Sequence, residues 1–569
     1  MATYIRLTEY KDSDSKEQGF FKSENRYEAN QSDFEKIPGS PIAYWVSDRV
    51  IQSFKNSKKL EEFVNTRRGM DTNDNEKYLR YWFEVSLNQI DFNGDKSRWS
   101  LSNIGGDYRK WEGNNVFVVN STILVSASES LKNDFFISGI TWTSLSSSNF
   151  GVRFFKQGFV YNNKSSFSVE LEQGRYFLSF MTTKIAFLIL KMVNPTMNFQ
   201  AGNIASLPII FPKQESTKQT IDTLTQECID ISKEEWDSRE TSWDFKKNEL
   251  LKHKTDEKIE SAYNNYCLYW REKFYKLHAN EEELNRLFID IYELNDELTP
   301  DVDLKDITIL KSESIINEDK NIEFKADEII KQFISYAVGV MFGRYSLDKD
   351  GLQIANLGSE ILISQMTDET KVSFPIDDDN VIPVLEDDYF SDDIASRVIN
   401  FVKTTFGSES LSENINFIEK CLGKTIRAYM VKDFYEDHIK RYKKRPIYWM
   451  VSSPKKGFMS LSYMHRYTND LFARVQNNYL REYITKLEGT KDILKQIIVD
   501  ESASSKDKKD ADKKIKDIEN KLKELISFDR DVLTSFAQNR VDIDLDDGVK
   551  VNYNKFKEVL YPIKGLDKE

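Results

Sequence analysis

Residues 135–155, FFISGITWTSLSSSNFGVRFF, decide the fold class of the first half of the chain. Two aromatic and β-branched runs flank a turn rich in Ser and Asn, a pattern typical of short neighbouring strands. Comparable runs occur on both sides: RYWFEVSL, NVFVVN and STILVSA before this stretch, and GFVYNN and FSVEL after it. Such closely spaced runs predict a β-rich domain.

Helical patterns replace the strand pattern further along the chain. The apolar run YFLSFMTTKIAFLILKMV at 176–193 predicts a buried helix rather than a membrane span, because Lys184 and Lys191 interrupt it. Proline residues in SLPIIFP then prevent helix continuation. From 213 to 300, charged and apolar residues alternate at helical spacing, which predicts a long helical or coiled-coil spacer.

The whole chain is therefore predicted to have an α+β fold. The later part is mostly helical, with a short strand at PIYWMVSS and a highly charged segment, SASSKDKKDADKKIKDIENKLKEL, that predicts a solvated pair of helices. The predicted parts are a polar linker at 1–34, a β-rich domain at 35–212, a helical spacer at 213–300, a C-terminal α/β domain at 301–480, and a helical hairpin with a tail at 481–569.

Charge and cysteine content limit the class of protein. The chain has 80 Lys and Arg against 93 Asp and Glu, a net charge of −13, so it does not coat nucleic acid through bulk charge. Local basic clusters still matter, because a charge is felt within about 8–10 Å at physiological salt. Three dispersed cysteines and a polar N-terminus predict a reduced, cytoplasmic protein without disulfides. No Cys/His spacing predicts a metal site.

Several enzyme motifs are absent from the sequence. A SAM-dependent methyltransferase needs a Gly-rich strand-to-helix turn, and one acting on adenine N6 needs an [N/D/S]PP[Y/F/W] turn. The only near match, Asn194-Pro195-Thr196-Met197, lacks the second proline and the aromatic residue. There is no phosphate-binding GxxxxGK[ST] loop either. The acidic loop from Asp377 to Asp388 is predicted to be a solvated loop rather than a metal site.

Clusters of basic, amide and aromatic residues are the positive signal. Lys and Arg neutralise phosphates, Arg can pair with guanine, and Asn can pair with adenine, so these clusters predict DNA binding. The candidate DNA-binding residues are Arg67, Arg68, Asn73, Asn75, Arg80, Arg109, Lys110, Trp111, Asn114, Thr141, Trp142, Ser144, Asn149, Arg153, Lys156, Lys443, Lys444, Arg445 and Lys455. No catalytic residue is predicted.

The chain resembles a known family over nearly its whole length. The segments PGSPIAYWVSD, RRGMDTNDNEKYLRYWFEV, GGDYRKWEGN, GITWT and NPTMNFQAGNIASLPI carry the likeness in the first half. ELNRLFIDIYELNDELTPDV, SYAVGVMFGRYSLD, DFYEDHIKRYKKRPIYW and DIDLDDGVKVNY carry it in the second. They are similar to the region that follows the catalytic domain in PglX-type adenine-specific DNA methyltransferases of BREX phage-defence systems.

The resemblance implies a recognition role without chemistry. Residues 35–212 would form a target-recognition domain that reads double-stranded DNA, and 1–34 would be the linker from a methyltransferase domain that this chain lacks. SAM would bind only in that catalytic half. The implied partners are double-stranded DNA, the catalytic half, other BREX proteins and phage antirestriction proteins that mimic DNA, with no membrane partner. Two alternatives stay open: a structural module that assembles the BREX complex without reading DNA, and, less favoured, a complete enzyme.

Overall fold

The computed structural model describes residues 1–66, 69–93, 97–127, 132, 135–143, 150–161, 166–194 and 198–566. The first part of the chain holds most of the strands: β1 (Ala2–Ile5), β2 (Arg26–Ala29), β3 (Lys58–Lys59), β4 (Leu79–Tyr81), β5 (Ile90–Asp91), β6 (Trp99–Asn103), β7 (Phe117–Asn120), β8 (Gly139–Trp142), β9 (Val152–Phe155), β10 (Phe159–Tyr161), β11 (Ser166–Ser168) and β12 (Pro208–Ile209). The helices among them are α1 (Ser13–Phe20), α2 (Gln31–Phe34), α3 (Asp48–Asn56), α4 (Asn75–Tyr78), α5 (Leu171–Thr182), α6 (Lys184–Val193) and α7 (Ala201–Ala205).

Two small sheets form the centre of this β-rich part. One has the order β10-β6-β7-β4, with β5 also paired to β6, and the other has the order β11-β8-β9. In the second sheet, Thr141 lies opposite Arg153 in the antiparallel register. A bridge from Trp111 to Arg153 joins the loop between β6 and β7 to the edge of that sheet. The two sheets therefore share a buried seam around Trp111.

The stretch at 135–155 forms strands as its pattern predicts, but two neighbouring runs do not. STILVSA lies on a 3-10 helix, Ser121–Ser126, which Asn120 caps by accepting from the backbone N–H of Thr122. RYWFEVSL leaves β4 at Tyr81 and turns into a 3-10 helix, Trp82–Glu84. In both cases side-chain acceptors satisfy the backbone N–H groups that a strand would offer to its neighbour.

The first 34 residues contain more structure than a polar linker. β1 and β2 pair antiparallel, with Ala2 opposite Ala29. The ring of Tyr4 stacks on Tyr44 at 4.7 Å, and its edge meets Phe34. The segment thus forms a small unit that packs against the start of the β-rich part.

The apolar run at 176–193 is a bent pair of helices instead of one helix. α5 ends at Thr182, and Thr183 caps α6 by accepting from the backbone N–H of Ala186. The two helices meet at an angle of 69°. Across the described residues, no single helix is long and apolar enough to cross a membrane, although this bent pair passes by length and composition.

The predicted spacer consists of α8 (Glu215–Asp237), α9 (Glu249–Lys252) and α10 (Ile259–Ile291). α8 and α10 pack against each other, and α8 also packs against α5. α10 buries Trp270, Leu277 and Phe288. Near its start, the Ile259 backbone N–H donates to Asn414 Oδ1 at 2.8 Å, and near its end, Asn285 accepts from Lys184. The long helix is therefore packed between the β-rich part and the C-terminal part.

The C-terminal part is mostly helical, as predicted. Its helices are α11 (Ala326–Met341), α12 (Glu360–Met366), α13 (Ile394–Phe406), α14 (Leu411–Leu422), α15 (Ile426–Lys432), α16 (Phe434–Arg441), α17 (Leu471–Arg474), α18 (Arg481–Val499), α19 (Ser505–Phe528), α20 (Thr534–Asn539) and α21 (Gly548–Asn554). Its strands are β13 (Ser314–Ile316), β14 (Ile322–Phe324), β15 (Ile382–Pro383), β16 (Tyr448–Ser452) and β17 (Met459–Tyr463). β15, β17 and β16 form one sheet in that order, and α18 and α19 form a long hairpin.

Candidate nucleic-acid interface

The predicted DNA-binding residues separate into a buried and an exposed group. Arg109, Lys110, Trp111, Thr141, Trp142 and Arg153 are each less than one-tenth exposed. Asn73, Asn75, Arg80, Asn114, Lys156, Lys443, Lys444, Arg445 and Lys455 are exposed or half-buried. Arg67, Arg68, Ser144 and Asn149 lie outside the described residues. The clusters that look alike in sequence thus have different surroundings.

Arg109 joins the loop between β6 and β7 to α8. Its guanidinium donates to Glu235 Oε2 at 2.9 Å and to the Ser232 carbonyl at 2.7 Å. Burial alone would raise the pKa of Glu235, but the guanidiniums of Arg109 and Arg239 outweigh it and hold that pKa at about 2. Arg109 is therefore an internal counter-ion that fixes the loop on the helix.

Lys110 and Trp111 join the same loop to α10. The Lys110 ammonium forms an ion pair with Glu281, and the Trp111 indole N–H donates to the other oxygen of that carboxylate at 2.8 Å. Burial would lower the pKa of Lys110, but the Glu281 charge raises it above its usual value. Both side chains are committed to the interior.

Three residues of the β8–β9 sheet are also internal. The Trp142 indole N–H donates to the Phe199 carbonyl at 2.9 Å, and Arg153 is 1% exposed. Burial, with Arg109 adding to it, lowers the pKa of Arg153 to about 10. Thr141, Trp142 and Arg153 cannot reach a phosphate in this structure because other side chains cover them. Their burial corrects the expectation that they form part of a DNA-facing surface.

Asn73 and Lys156 are exposed and line neither of the two grooves described below. Asn73 is exposed with a left-handed backbone, φ 53°. The Lys156 ammonium lies 3.8 Å from Asp244 Oδ2. Their prediction as DNA contacts stays a prediction, and no neighbouring feature adds to it.

Three consecutive cations form the basic turn, defined here as Lys443–Arg445, which follows α16. Lys443 Nζ is 3.4 Å from Asp107 Oδ2, and both side chains are more than half exposed. Lys444 Nζ donates to the Lys564 carbonyl at 3.3 Å. Arg445 Nε lies 3.5 Å from Glu84 Oε1. The contacts of Lys443 and Lys444 are long and solvated, of the kind that contributes little to stability, whereas Arg445 is half-buried beside the buried Glu84 carboxylate.

The backbone of the basic turn is in an unusual conformation for its residue types. Lys443 and Lys444 both have positive φ, 51° and 61°. The Lys444 N–H donates to the Ile439 carbonyl and the Lys443 N–H to the Lys440 carbonyl, which is the capping pattern in which glycine is the usual residue. A non-glycine residue in this region costs on the order of 1 kcal/mol. Two lysines at these positions favour a function for their side chains.

Two grooves lie on either side of the basic turn. The central groove, with a volume of about 590 Å³, is lined by Asp107, Asn114, α8, α11 and the end of α16, including Lys443. The tail groove, with a volume of about 450 Å³, is lined by Asn75, Arg80, Tyr81, Arg445 and residues 547–554. Asn75, Arg80, Asn114, Lys443 and Arg445, which are distant in sequence, are thus brought to one region of the surface.

The lining of the central groove contains more basic than acidic residues. Arg109, Arg239 and Arg441 are paired with buried carboxylates, whereas Lys440 is exposed and has no ion pair among the described residues. The Lys311 ammonium lies 5.0 Å from the centre of the Tyr108 ring, and burial lowers the pKa of Lys311. Lys311, Lys440 and Lys443 are the exposed cations of this groove, and Lys443 lies 3.4 Å from the exposed Asp107.

The tail groove combines an aromatic wall with cations. The Tyr81 ring stacks on Phe117 at 4.6 Å and on Phe83 at 5.2 Å. The Arg80 guanidinium lies 5.8 Å from the centre of the Trp99 ring and donates to the Asp547 carbonyl at 3.0 Å. Burial raises the pKa of Glu84, the carboxylate beside Arg445. Flat rings next to guanidinium groups suit a base or sugar that lies beside a phosphate.

The acidic loop differs from the solvated loop predicted for it. Asp377 is 2% exposed and accepts from the Val381 backbone N–H at 2.9 Å. Tyr479 Oη donates to Asp379 Oδ2 at 3.1 Å. Burial and the neighbouring Asp379 raise the pKa of Asp377 to about 7. Ligand atoms of Asp377, Asp378 and Asp379 lie within 4.8 Å of one another, but the loop's main contacts are with the fold around it.

Lysines other than the candidate DNA-binding residues also line the grooves. Lys440 lies in the basic stretch KRYKKRPIYW, which is predicted as a candidate clamp on DNA, so the sequence does indicate it. Lys550 lies in DIDLDDGVKVNY, a segment noted only for its family likeness. Lys311 stands in no cluster at all, so no sequence signal indicates it.

Comparison with known proteins now adds an independent observation. No family model matches the chain. The adenine-specific methyltransferase PglX of Lacticaseibacillus casei strain Zhang is 35% identical over 99% of the chain and 49% of its own length. The adenine-specific methyltransferase BrxX of Escherichia coli O9:H4 strain HS is 34% identical over 94% of the chain and 46% of its own length.

The chain is similar to PglX and BrxX. Identity of about one-third over nearly all of the chain agrees with the resemblance noted from the sequence. The chain spans about half the length of these two relatives. The likeness to PglX and BrxX thus covers the basic turn, both grooves and the residues that join the β-rich part to α8 and α10.

Proposed function

We propose that the chain recognises double-stranded DNA for a SAM-dependent N6-adenine methyltransferase of a BREX phage-defence system. The names of PglX and BrxX indicate the reaction, and their partial coverage leaves room for catalytic machinery outside these 569 residues. The sequence lacks both the Gly-rich SAM turn and the [N/D/S]PP[Y/F/W] turn. The proposal therefore assigns recognition to this chain and methyl transfer, with SAM, to a catalytic domain beyond it.

The single observation that carries the proposal is the basic turn between the two grooves. Lys443 and Lys444 are held only by long, solvated contacts and occupy backbone positions that favour glycine, and Arg445 beside them is half-buried next to Glu84. Nothing in their interior contacts explains why lysine stands there. Phosphate binding would explain these lysines. A duplex carries about one charge per 1.7 Å of its axis, and it releases counter-ions when lysine and arginine neutralise its phosphates.

The size of the grooves constrains how a duplex lies. Volumes of about 590 and 450 Å³ are too small for a double helix, so the duplex would rest across both mouths with its backbone on the turn. Lys440, Lys443, Lys444 and Arg445 would then contact phosphates. The amides of Asn75 and Asn114, at the edges of the two grooves, are the candidates for reading adenine.

The proposed partners follow from the same role. The catalytic domain would hold the target adenine and SAM while this chain positions the duplex. Phage proteins that mimic DNA would compete for the basic turn, and other BREX proteins would use surfaces away from it. The competing function, a structural module without DNA contact, predicts that the basic turn can be neutralised without consequence for DNA.

The test is duplex binding by the full 569-residue chain, measured by fluorescence anisotropy at low salt. Replacing Lys443, Lys444 and Arg445 together by Gln should weaken binding at least tenfold. A matched variant replaces the exposed Lys349, Lys371 and Lys403, which line neither groove, and should bind like the original chain.

Two outcomes would overturn the proposal: no duplex binding by the original chain, or equal loss in the two triple variants. Charge reversal at Arg109, Lys110 or Arg153 is not a usable test, because each side chain is buried and its loss would disturb the fold.

A further inference from the structure

α19 carries a row of lysines on one face. Positions 506, 509, 513, 516, 520 and 523 recur every three or four residues and so lie on a single side of the helix. They are Lys506, Lys509, Lys513, Lys516, Asn520 and Lys523. All six are exposed, and the exposed acidic residues Asp510, Asp512 and Asp517 lie at the edges of the row. We call these five lysines the α19 row.

The row faces away from the packed side of its own helix. α19 buries Ala511, Ile515, Leu522 and Leu525 against the rest of the molecule. At 100° per residue, these positions lie on the side opposite to the row. The hairpin packing is thus complete without the lysines, which leaves the row as an unpartnered helix face.

One lysine of the row forms an ion pair, and acidic residues one helical turn away offset part of the charge of the others. Lys516 Nζ lies 2.7 Å from Asp512 Oδ2, both exposed, and this is the one ion pair that the row makes among the described residues. An exposed pair one helical turn apart contributes about 0.3–0.5 kcal/mol and breaks readily for a stronger partner. Five like charges held in line on a rigid helix repel one another and favour an extended anion.

The length of the row fits a nucleic-acid backbone. From Lys506 to Lys523 the helix rises about 25 Å, at about 1.5 Å per residue. A duplex of the same length is about seven base pairs long, at about 3.4 Å per base pair. A phosphate backbone presents closely spaced negative charges over that whole length. A ligand with a single carboxylate could contact only one or two of the lysines.

The row also connects physically to the proposed interface. Just beyond Lys523, Glu524 Oε1 accepts from the Lys455 backbone N–H at 2.6 Å, which joins α19 to the turn between β16 and β17. In that turn, Lys456 Nζ donates to Tyr561 Oη at 2.8 Å. A few residues later, the Lys564 carbonyl accepts from Lys444 of the basic turn. Exposed lysines therefore follow a continuous path from α19 to the basic turn.

From these observations we propose that the α19 row is a second contact surface for duplex DNA, which binds phosphates independently of sequence. It rests on the proposed DNA-recognition function but uses a different surface from the basic turn. The row would extend the footprint of the chain along the duplex and contribute affinity without base selectivity.

The experiment compares three variants of the full 569-residue chain on a labelled 40-base-pair duplex over a range of salt concentrations. The first replaces the five lysines of the row by Gln, and the second replaces the basic turn, Lys443, Lys444 and Arg445. The third is a matched control that replaces the exposed Lys349, Lys371, Lys403, Lys420 and Lys432. Thermal unfolding of each variant checks that the fold is intact, which exposed Lys-to-Gln changes should preserve.

The row variant should bind at least tenfold more weakly at physiological salt, and its salt slope should fall by about two or more, at about 0.9 per lost phosphate contact. The loss should be equal for unrelated duplex sequences. Loss in the row variant alone supports the row and overturns the basic turn as the interface. Loss in the turn variant alone overturns the row, which then faces another anion such as an acidic protein surface. No duplex binding by the original chain overturns both proposals.

Discussion

The buried pair of Lys110 and Glu281 offers a quantitative test of how the β-rich part is attached to α10. Lys110 is 6% exposed and Glu281 4% exposed, and Glu281 also accepts from the Trp111 indole. Replacing Glu281 by Gln leaves the Lys110 charge buried without a counter-charge. Removing one partner of a buried ion pair costs about 3–5 kcal/mol, so the E281Q variant should lose about that much unfolding free energy.

The companion double variant, K110M/E281Q, should recover most of this loss. With the charge gone, the methionine side chain fills similar space and no ion stays desolvated. We expect a coupling free energy of at least about 3 kcal/mol between the two positions, because most of the E281Q loss is recovered and K110M alone also leaves a buried charge unpaired. The assay is urea unfolding followed by the fluorescence of the nine tryptophans, which reports unfolding of the whole chain. An exposed control, K156M, should change the unfolding free energy by less than about 0.5 kcal/mol.

Two results would refute this reasoning. In the first, the unfolding free energy of E281Q lies within about 1 kcal/mol of that of the original chain. In the second, K110M weakens duplex binding at unchanged stability, which would return Lys110 to the DNA-contact role that its sequence context predicts. Either result would mean that the loop between β6 and β7 is not held in place by its buried contacts.

Three further predictions follow from single positions. The pKa of Glu235 is about 2, below its usual 4.5, so this carboxylate stabilises the fold above about pH 4.5 and the stabilisation is lost as the pH falls towards 2. The loss amounts to about 3 kcal/mol of unfolding free energy. In urea titrations from pH 7 to pH 3, the unfolding free energy of E235Q should therefore fall less steeply with pH than that of the original chain. K443G should raise the unfolding free energy by up to about 1 kcal/mol, because glycine adopts the φ of 51° without strain, and it should weaken duplex binding. Weaker binding without a gain in unfolding free energy would contradict the strain argument. G113A should lower the unfolding free energy by about 2 kcal/mol in the same assay, because Gly113 has φ 120° and a Cβ there would lie 2.2 Å from Arg109 Nε. The control G202A, where a Cβ would meet open space, should leave the unfolding free energy unchanged or raise it.

Local patterns predicted many of the elements correctly. The strands within 135–155, the strand at PIYWMVSS and the charged helix of the α18–α19 hairpin all form where period and turn residues indicate. The mistaken elements, at STILVSA and 176–193, involve competing hydrogen bonds from Asn120 and Thr183 that a hydrophobic pattern does not contain. In each case the polar side chain caps a helix and overrides the local propensity.

The environment of basic residues could not be predicted from local sequence. GGDYRKWEGNN indicates a polar loop, yet Arg109 finds Glu235 across 126 positions and Lys110 finds Glu281 across 171. Burial of a cation depends on a distant carboxylate, which only the tertiary structure supplies. In KRYKKRPIYW, Arg441 likewise finds the distant Glu240, whereas Lys440, Lys443 and Lys444 have no buried carboxylate partner among the described residues and lie at the surface.

The salt dependence of duplex binding tests the central claim most directly. If Lys443, Lys444 and Arg445 each neutralise a phosphate, replacing all three by Gln should lower the slope of log K against log salt by about 2.7, at about 0.9 per contact. The control with Lys349, Lys371 and Lys403 replaced should keep the original slope. Equal slopes for the original chain and the turn variant would contradict the assignment of DNA recognition to this surface.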